Sequence, residues 1–406
     1  MNMNNKMSVF QNVTNVPTDP LFLAYENYTN CKAKNKINLT IGTITEPGNE
    51  SNLYEFKCVS KAQDLIAKEE LDKEYPPLTG IPEYNSTIQN LFFDKDSNVV
   101  KEKRILTVQA ITGGAALKIG ADILRKLVAK SIYLSNKTWG FYTGLFQSLE
   151  IKYYPYFNEK TKTLDFENMV SFFKNLEKGS VVNLQLNCHN PTGIDLNLEQ
   201  WEIIGKICAE NKIFAFIDIA YLGFSSGSIQ EDFAPVRLLE RLGVEMFIVY
   251  CTEKNFGTYS DPVGNLIVIL NKPQPINAIR SHLIICFRTL NSFPGLYSAR
   301  LLMKVMNIPE LKELWLEEIK YLANSLKEKR QLLLNELESL KIPIDTYKKQ
   351  NGLYFYLSFD ERQVNHLADK FNIFVGPEGR ISLSGLTKDN VKYIAEAITE
   401  VFNNSK

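Results

Sequence analysis

The sequence has little of what metal sites and charged partners require. Only three of its 406 residues are histidine, and its six cysteines include no C-x-x-C pair, so neither a zinc site nor a disulfide framework is indicated. Lysine plus arginine and aspartate plus glutamate both number 46, which leaves no net charge to attract nucleic acid or an anionic membrane. No apolar run is long enough to span a bilayer, and the opening segment MNMNNKMSVFQNVTNVPTDP lacks a signal-peptide core. We therefore expect a cytoplasmic protein with reduced thiols and a small-molecule partner.

What is present is a long chain of mixed composition. With 45% hydrophobic and 23% charged residues, it can bury a large core and form two lobes. Its middle part alternates strand-like and helix-like segments, a pattern typical of an α/β fold with a mainly parallel sheet between helices. A helix is predicted over residues 198–212, where apolar side chains recur at helical spacing. Strands are predicted over residues 131–135, 180–187, 213–221, 246–251 and 265–270.

The C-terminal part has a different pattern. From Pro309 to about Leu340 the spacing predicts a long, charged amphipathic helix. Short strands around LYFYLSF and RISLSGL follow, and a closing helix is predicted at DNVKYIAEAITEVF. We therefore predict a large domain over residues 51–305 and a smaller α+β domain formed by residues 1–50 and 306–406.

Polar residues directly after apolar strands indicate where to look for a site, because ligands of open parallel sheets bind outside the carboxyl ends of the strands. Thr112, Gly113 and Gly114 form one such turn, in the segment ITGGAALKIGADIL, and open a predicted helix. Backbone N–H groups at a helix N-terminus can bind a phosphate, and glycine leaves them accessible. A Gly-Gly pair before a helix is, however, more often a plain tight turn.

Three further candidates follow predicted strands. Asn190, in NCHNPTG, would be held at the sheet edge by its Asn-Pro turn, or would belong to an ordinary loop. Asp218 lies three residues before Tyr221 in the segment IDIAY, and it either binds a ligand or caps the next helix. Lys254 follows MFIVYC, where burial could lower its pKa enough for it to attack a carbonyl, although most lysines are solvated.

These weak signals combine into one pattern. Asn190, Asp218, Lys254 and Arg380 occur in that order at separations of 28, 36 and 126 residues. With the segments INLTIG, KEYPPLTGIPEYN, HNPTGIDLNLEQW, KNFGTY and GRISLSGLT, the chain from about Phe10 onward resembles a fold-type I pyridoxal-phosphate aminotransferase of the aspartate and aromatic amino-acid subgroup. The resemblance implies a seven-stranded sheet in the large domain and pyridoxal 5′-phosphate as cofactor. It also implies ping-pong transamination between an amino acid and a 2-oxo acid.

The resemblance implies a role for each candidate residue. Lys254 would bind the cofactor covalently and then move a proton as general base and acid. Asp218 would pair with the pyridine nitrogen and keep it protonated. Asn190 and Tyr221 would donate hydrogen bonds to the ring's phenolic oxygen, and Trp139, in KTWGFY, would stack on the ring face.

Substrate and partner contacts are implied in the same way. Arg380 would clamp the α-carboxylate of the substrate by a planar two-point contact, with the backbone at Gly42 nearby. Arg288 would reach from the other subunit to the distal carboxylate of a dicarboxylic substrate. Tyr75 would touch the neighbouring subunit's cofactor phosphate. The expected working unit is therefore a homodimer with shared active sites.

The lysine loop, CTEKNFGTYSDPVG, departs from the family pattern. Pro262 stands where the family has an arginine that grips the cofactor phosphate, and Cys251 replaces a serine that also binds it. Gly114 stands where a hydroxyl residue is usual. Loss of the arginine alone is expected to weaken cofactor binding by roughly 10- to 150-fold. We expect the pyridoxamine form, which lacks the covalent bond to the lysine, to escape most readily.

Other groups could replace part of the lost phosphate contact. Thr112 and the backbone near Gly113 remain, together with Tyr75 from the neighbouring subunit. Lys118 is a candidate for supplying the missing positive charge, since it lies within the helix that follows the turn.

The substrate is less strongly indicated than the cofactor. Arg288 favours aspartate, glutamate and their keto acids, since a buried cation facing an uncharged side chain would be left unpaired. Aromatic aminotransferases of the same subgroup also keep this arginine, so an aromatic amino acid is the alternative substrate. Ile44, Glu74, Tyr142 and Phe293 stand where the aspartate enzymes have other residues, and Phe293 could stack on an aromatic substrate.

Two readings from other functional classes remain. A lyase or cyclase of the same fold type would use the same lysine and aspartate, but retention of Arg288 and Arg380 argues against it. A degenerate, non-catalytic homologue is opposed by five retained cofactor-contact positions: Lys254, Asp218, Asn190, Tyr221 and Trp139.

Overall fold

The computed structural model describes residues 8–404, so the outermost ends of the predicted small domain, residues 1–7 and 405–406, lie outside the described residues. The helices are α1 (Pro20–Asn30), α2 (Lys57–Ile66), α3 (Pro82–Phe92), α4 (Asn98–Lys101), α5 (Gly113–Leu127), α6 (Tyr142–Leu145), α7 (Phe166–Lys174), α8 (Leu198–Glu210), α9 (Ile229–Asp232), α10 (Ala234–Arg241), α11 (Ile276–Asn291), α12 (Tyr297–Asn307), α13 (Pro309–Ser339), α14 (Glu361–Phe371) and α15 (Val391–Asn404). The strands are β1 (Ile37–Leu39), β2 (Thr45–Glu46), β3 (Asn49–Leu53), β4 (Ile105–Ala110), β5 (Ser131–Ser135), β6 (Glu150–Tyr154), β7 (Phe157–Asn158), β8 (Thr163–Leu164), β9 (Val181–Gln185), β10 (Phe214–Ile219), β11 (Met246–Cys251), β12 (Gly264–Ile269), β13 (Tyr354–Tyr356), β14 (Ile373–Val375) and β15 (Arg380–Ser382). Within this part of the chain, no helix has the length and apolar character needed to cross a membrane.

The central sheet has seven strands in the order β4-β12-β11-β10-β9-β5-β6. Its strands run parallel except β12, which is antiparallel to both β11 and β4. Every residue of β10, β11 and β12 is buried, as expected for strands covered on both faces. The five predicted strands are confirmed with bounds within about two residues, and so is the α/β fold class with a mainly parallel seven-stranded sheet.

The core has two layers because successive strand side chains point to opposite faces of the sheet. On one face Phe216 and Val249 pack with the apolar side of α5 and with α11. On the other face Ala215 and Ile217 join a larger cluster that extends to Trp315 on α13. The long helix predicted from Pro309 to about Leu340 is confirmed, and it places its apolar side against α2, α12 and α15.

Both ends of the chain meet in a smaller group of elements. β1 pairs in parallel with β14, aligning Ile37 with Ile373, and β13 pairs antiparallel with β15, aligning Tyr354 with Ser382. α14 and α15 pack together beside them. The N-terminal segment that carries β1 is thus tied to β14 near residue 375, in a two-stranded sheet separate from the central one.

The topology brings four loops to one edge of the central sheet. β9, β10 and β11 are parallel, and β4 points the same way because two antiparallel pairings relate it to β11 through β12. The loops after β4, β9 and β11 carry Thr112, Asn190 and Lys254, and Asp218 lies at the end of β10. The carboxyl ends of these strands therefore bring the candidate residues to one side.

Candidate active site

Asp218 is a buried carboxyl at the end of β10. Its Oδ2 accepts a hydrogen bond from the hydroxyl of Tyr142, which begins α6 and is itself fully buried. Burial raises the pKa of the Asp218 carboxyl to about 6, although the Tyr142 hydroxyl and the Lys254 ammonium act in the opposite direction. The alternative that Asp218 caps the next helix is wrong, because Ser228 caps α9. Asp218 is therefore free to face a ligand.

Lys254 lies just beyond β11 with its ammonium paired to a neighbour. Its Nζ is 2.8 Å from Glu253 Oε2 and 5.9 Å from the ring centroid of Tyr221. Burial lowers the pKa of Lys254, but the charge and hydrogen bond of the Glu253 carboxylate outweigh burial, so the pKa is raised. The expectation that burial would lower this pKa is thus wrong for the ligand-free protein. Glu253 was not among the site residues predicted from the sequence, and its only sequence signal is its position next to the lysine.

Arg380, at the start of β15, is a buried cation with neutral partners. Its Nη1 donates to Asn190 Oδ1 at 2.8 Å, and its Nη2 donates to the carbonyl oxygen of Thr40 at 2.9 Å. Its Nε–H has no hydrogen-bond partner within the described part of the chain. Only 4% of the residue is exposed, which rules out the alternative of a surface ion pair. A buried guanidinium held by neutral oxygens favours an anionic ligand.

Tyr221 and Tyr354 bring their hydroxyl groups together between Lys254 and Arg380. The two oxygens lie 2.9 Å apart, and both side chains are buried. The ring of Tyr354 supports the guanidinium of Arg380, whose Cζ lies 4.1 Å from the ring centroid. Tyr354 was not singled out in the sequence because its segment, LYFYLSF, has the pattern of an ordinary apolar strand. Only the fold places its hydroxyl in the site.

The turn after β4 forms the N-terminus of a 15-residue helix. Thr112 caps α5, its Oγ1 accepting from the backbone N–H of Ala115 at 2.9 Å. A Cβ on Gly113 would lie 2.8 Å from the Cβ of Cys251, so this position requires glycine. A Cβ on Gly114 would meet nothing closer than 3.7 Å. Packing against Cys251 therefore leaves no room for a side chain at Gly113, whereas Gly114 has room for one.

The positive charge expected from Lys118 is not brought to this turn. Its ammonium lies 2.6 Å from Asp122 Oδ2, one helical turn further from the N-terminus of α5. Pro262, in the loop after Lys254, offers no side-chain donor. The charge available to an anion at this turn is therefore that of the backbone N–H groups and the helix dipole.

Trp139 and Gly42 border the group from two sides. The indole ring lies 5.4 Å from the ring of Tyr142 in an edge arrangement, so it adjoins the partner of Asp218. A Cβ on Gly42 would lie 1.9 Å from the Tyr354 hydroxyl oxygen, so only glycine allows that hydroxyl its place. The structure thus brings Gly42, Trp139 and the polar residues around Lys254 into one region.

Arg288 and Tyr75 form a separate group at the surface. The ring of Tyr75 stacks on Phe293 with centroids 4.5 Å apart, and the guanidinium of Arg288 lies 4.8 Å from the Phe293 centroid. Tyr75 is 73% exposed. Over residues 8–404, no hydrogen bond or ring contact joins this group to Lys254. The two residues predicted to serve a neighbouring subunit therefore lie together and make no such contact with this chain's own lysine.

The residues fit pyridoxal phosphate most closely at its ring. A buried carboxyl, a partly buried lysine and a tyrosine hydroxyl surround the region where the ring nitrogen, aldehyde carbon and phenolic oxygen would lie. The phosphate would meet the backbone of the turn at Gly113. Within residues 8–404, no group of three or more histidine, cysteine or acidic residues is arranged to hold a metal ion.

Comparison with known proteins agrees with this site. Residues 34–398 match the family described as "Aminotransferase class I and II". The cytoplasmic aspartate aminotransferase of Dictyostelium discoideum is 33% identical over 405 residues, covering 98% of this chain and 91% of that protein. The mitochondrial aspartate aminotransferase of Gallus gallus is 30% identical over 391 residues, covering 95% of this chain and 92% of that protein.

Solved structures of aminotransferases are also similar to this chain. An aromatic-amino-acid aminotransferase from Burkholderia pseudomallei, covalently bound to pyridoxal phosphate, superposes with a TM-score of 0.92 at 30% identity, covering 97% of this chain and 100% of that chain. The aspartate aminotransferase from Saccharomyces cerevisiae cytoplasm superposes with a TM-score of 0.93 at 29% identity, covering 98% and 99%.

The fold and the site define a fold-type I enzyme that uses pyridoxal phosphate, and the chain belongs to the aminotransferase class I and II family. Within that family it falls in the aspartate and aromatic amino-acid subgroup, and its reaction is transamination. The family, enzyme class and cofactor predicted from the sequence are confirmed.

Proposed function

We propose that the protein transfers an amino group between a dicarboxylic L-amino acid, aspartate or glutamate, and a 2-oxo acid. The observation that carries the amino-acid part of this proposal is Arg380: a buried guanidinium with neutral partners and one unpaired N–H. A substrate carboxylate would supply the missing negative charge and accept that hydrogen. Asn190 and Thr40 hold the guanidinium so that its orientation is set before the substrate arrives. The choice of a dicarboxylic substrate is supported by Arg288 and by the aspartate aminotransferases among the relatives.

The other predicted residues take their roles around the cofactor ring. When bound, pyridoxal phosphate supplies an electron sink for the charge released at the substrate's α-carbon. Asp218 would hold the proton on the ring nitrogen, and the Tyr142 hydroxyl would keep that carboxylate in place. Asn190 and Tyr221 would hold the phenolic oxygen, and Trp139 would cover one ring face.

The phosphate would be held at the N-terminus of α5. The backbone N–H groups at Gly113 and Gly114 would donate to its oxygens, and the cap formed by Thr112 fixes their direction. Cys251 packs against this turn with a thiol, a weak donor, and Pro262 contributes none. This supports the proposal that the cofactor is held more by Lys254 and the ring contacts than by its phosphate.

Lys254 is the proposed proton carrier. With the cofactor bound, the neutral amine of Lys254 would take up the proton of the substrate's α-carbon and hold it for return. In the ligand-free protein Glu253 keeps Nζ as an ammonium. Loss of that proton is thus a required step before Lys254 can bind the cofactor covalently.

We further propose a homodimer in which each subunit completes its partner's site. The group formed by Arg288, Phe293 and Tyr75 lies at the surface, which supports a role across an interface. Exposed apolar side chains at Phe10 and Val16 favour burial against a second chain. Sedimentation velocity at micromolar concentration tests this, with a monomer as the contrary result.

The aromatic alternative rests on Phe293. Its ring lies between Tyr75 and Arg288, so the same arginine that would bind a distal carboxylate also contacts an aromatic surface. An aromatic substrate could add to this stack while Arg288 moves aside.

Visible absorption tests the function and separates the substrates. Purified protein supplied with pyridoxal phosphate should develop an absorption band at wavelengths longer than those at which the protein itself absorbs. Aspartate should bleach this band. Bleaching by phenylalanine alone would favour the aromatic alternative. No band under any condition would contradict the proposed roles of Lys254 and Asp218. Product analysis for a 2-oxo acid distinguishes transamination from a lyase or cyclase reaction.

We also propose a domain division and a compartment. Pairing of β1 with β14 supports a small domain built from both chain ends, residues 1–50 and 306–406, beside a large domain over residues 51–305. The six cysteines are free, which fits a reducing compartment such as the cytoplasm. Relatives include both cytoplasmic and mitochondrial aminotransferases, and fluorescence microscopy of the tagged protein would distinguish the two.

A further inference from the structure

Tyr354 places a second phenolic hydroxyl behind Tyr221. The two oxygens are 2.9 Å apart, and the rings meet edge to face with centroids separated by 5.7 Å. Both side chains are buried, so neither hydroxyl can exchange this bond for water at no cost. Tyr354 is outside the set of residues to which the proposed function gives a role.

The position of this hydroxyl is fixed by its surroundings. The Tyr354 carbonyl oxygen accepts from Arg330 Nη2 at 2.9 Å, and its backbone pairs with Ser382 in β15. The guanidinium of Arg380 covers its ring at 4.1 Å, and Gly42 leaves just enough room for the hydroxyl oxygen. A side chain constrained on all these sides presents its hydroxyl in one place.

Hydrogen counting sets the direction of the bond. Each phenol has one hydrogen to donate. If Tyr221 donates to the phenolic oxygen of the cofactor, as the proposed function requires, the hydrogen between the two tyrosines must come from Tyr354. A donor that itself accepts a hydrogen bond is polarised and donates more strongly.

We propose that Tyr354 is a positioning residue of the active site, whose hydroxyl donates to Tyr221 and strengthens the hydrogen bond from Tyr221 to the cofactor's phenolic oxygen. This inference rests on the proposed function. Stronger donation stabilises negative charge on that oxygen. It therefore favours the deprotonated form of the loaded enzyme, in which the proton near the phenolic oxygen has been lost. The hydroxyl therefore lowers the pH at which the loaded enzyme loses that proton.

The test is a pH titration of the visible band in the cofactor-loaded protein. Tyr354→Phe removes the hydroxyl and keeps the ring beneath Arg380. Its titration midpoint should rise by roughly 0.4 to 1.1 pH units, the equivalent of one neutral hydrogen bond. Tyr393→Phe is the matched control, because the hydroxyl of Tyr393 on α15 donates to the Phe371 carbonyl oxygen at the end of α14. The midpoint of this variant should stay unchanged.

A double-mutant cycle shows whether the effect passes through Tyr221. Tyr221→Phe should raise the midpoint further than Tyr354→Phe, and adding Tyr354→Phe to it should change nothing more. An unmoved midpoint in Tyr354→Phe, or equal shifts in both backgrounds, would overturn the inference. Absence of a band in the unmodified protein would overturn the proposed function and the inference together, whereas a normal band with an unmoved midpoint overturns the inference alone.

Discussion

Glu253 Oε2 lies 2.8 Å from Lys254 Nζ, so the residue next to this lysine holds it as an ammonium. Burial acts to raise the pKa of the Glu253 carboxyl, but the lysine charge outweighs it and the pKa is lowered. The pair is thus ionised on both sides in the ligand-free protein. Only a neutral amine can attack an aldehyde, so the carboxylate would oppose cofactor loading if Lys254 has the covalent role proposed for it.

Replacing Glu253 by Gln should speed cofactor loading at neutral pH. Without the carboxylate, burial dominates and the pKa of Lys254 falls, so a larger fraction of the amine is neutral. The growth of the visible band after mixing cofactor-free protein with pyridoxal phosphate should be about tenfold faster at pH 7, the equivalent of one pKa unit. Glu231→Gln, an exposed carboxyl on α9, is the control and should load at the original rate. Slower loading in Glu253→Gln would show that the carboxylate assists instead.

Cofactor retention should improve when a hydroxyl is returned to the turn after β4. Gly114→Ser adds a donor where a Cβ meets nothing closer than 3.7 Å, so the serine fits without displacing its neighbours. One added hydrogen bond to the ionised phosphate should tighten binding of the pyridoxamine form by roughly 10- to 150-fold. The measurement is the loss of cofactor during dialysis with aspartate present, a condition in which the unmodified protein should lose activity until cofactor is added.

Gly113→Ser is the matched control for that experiment. Its Cβ would lie 2.8 Å from the Cβ of Cys251, so the same hydroxyl introduced one residue earlier should disturb the turn and weaken binding. Activity of the unmodified protein that survives extensive dialysis with aspartate would contradict the weak phosphate contact on which this prediction depends.

The two arginines should separate the two ends of the substrate. Arg380→Lys keeps a charge but loses the planar fork, and kcat/KM should fall by roughly 10- to 150-fold for aspartate and phenylalanine alike, because both carry an α-carboxylate. Arg288→Gln should lower kcat/KM for aspartate by a similar factor and leave phenylalanine unchanged. An equal loss for both amino acids in Arg288→Gln would remove this residue from distal-carboxylate recognition.

Most of the fold and part of the site follow from the sequence, for physical reasons. Strands such as Met246–Cys251 are continuous apolar runs because helices cover both faces of the sheet, and such runs are readable without coordinates. Asp218 and Lys254 follow such runs, so the carboxyl-end rule finds them. The hydrogen bond between Arg380 and Asn190 joins residues that are 190 positions apart in the sequence, and only the fold brings them together.

What the sequence could not supply is the orientation of side chains. Tyr354 lies in an apolar strand pattern, and nothing local indicates that its hydroxyl reaches Tyr221. Lys118 lies on the right helix, but its pairing with Asp122 directs the charge away from the turn. The pKa of Lys254 rises rather than falls because an adjacent glutamate, unremarkable in the sequence, folds back onto Nζ.

The buried Asp218 carboxylate should lower the free energy of unfolding of the cofactor-free protein at neutral pH. Burial raises its pKa from 3.8 to about 6, so folding takes up a proton in that interval, and the folded state loses stability as pH rises from about 4 to about 6. Asp218→Asn removes this dependence, and above pH 6 its free energy of unfolding should exceed that of the unmodified protein by up to about 3 kcal/mol. Below pH 4 the two proteins should be similar.

Urea unfolding of the cofactor-free protein across this pH range measures that difference. Asp369→Asn, an exposed carboxyl on α14, should follow the unmodified protein at every pH. Adding pyridoxal phosphate should reverse the order, since the carboxylate then has the ring nitrogen's proton to hold and Asn does not supply its charge. If Asp218→Asn is less stable than the unmodified protein without cofactor at pH 7, the carboxylate is already compensated in the empty site and the burial argument fails. A stability penalty that cofactor binding removes would show that Asp218 is kept for the ligand and not for the fold.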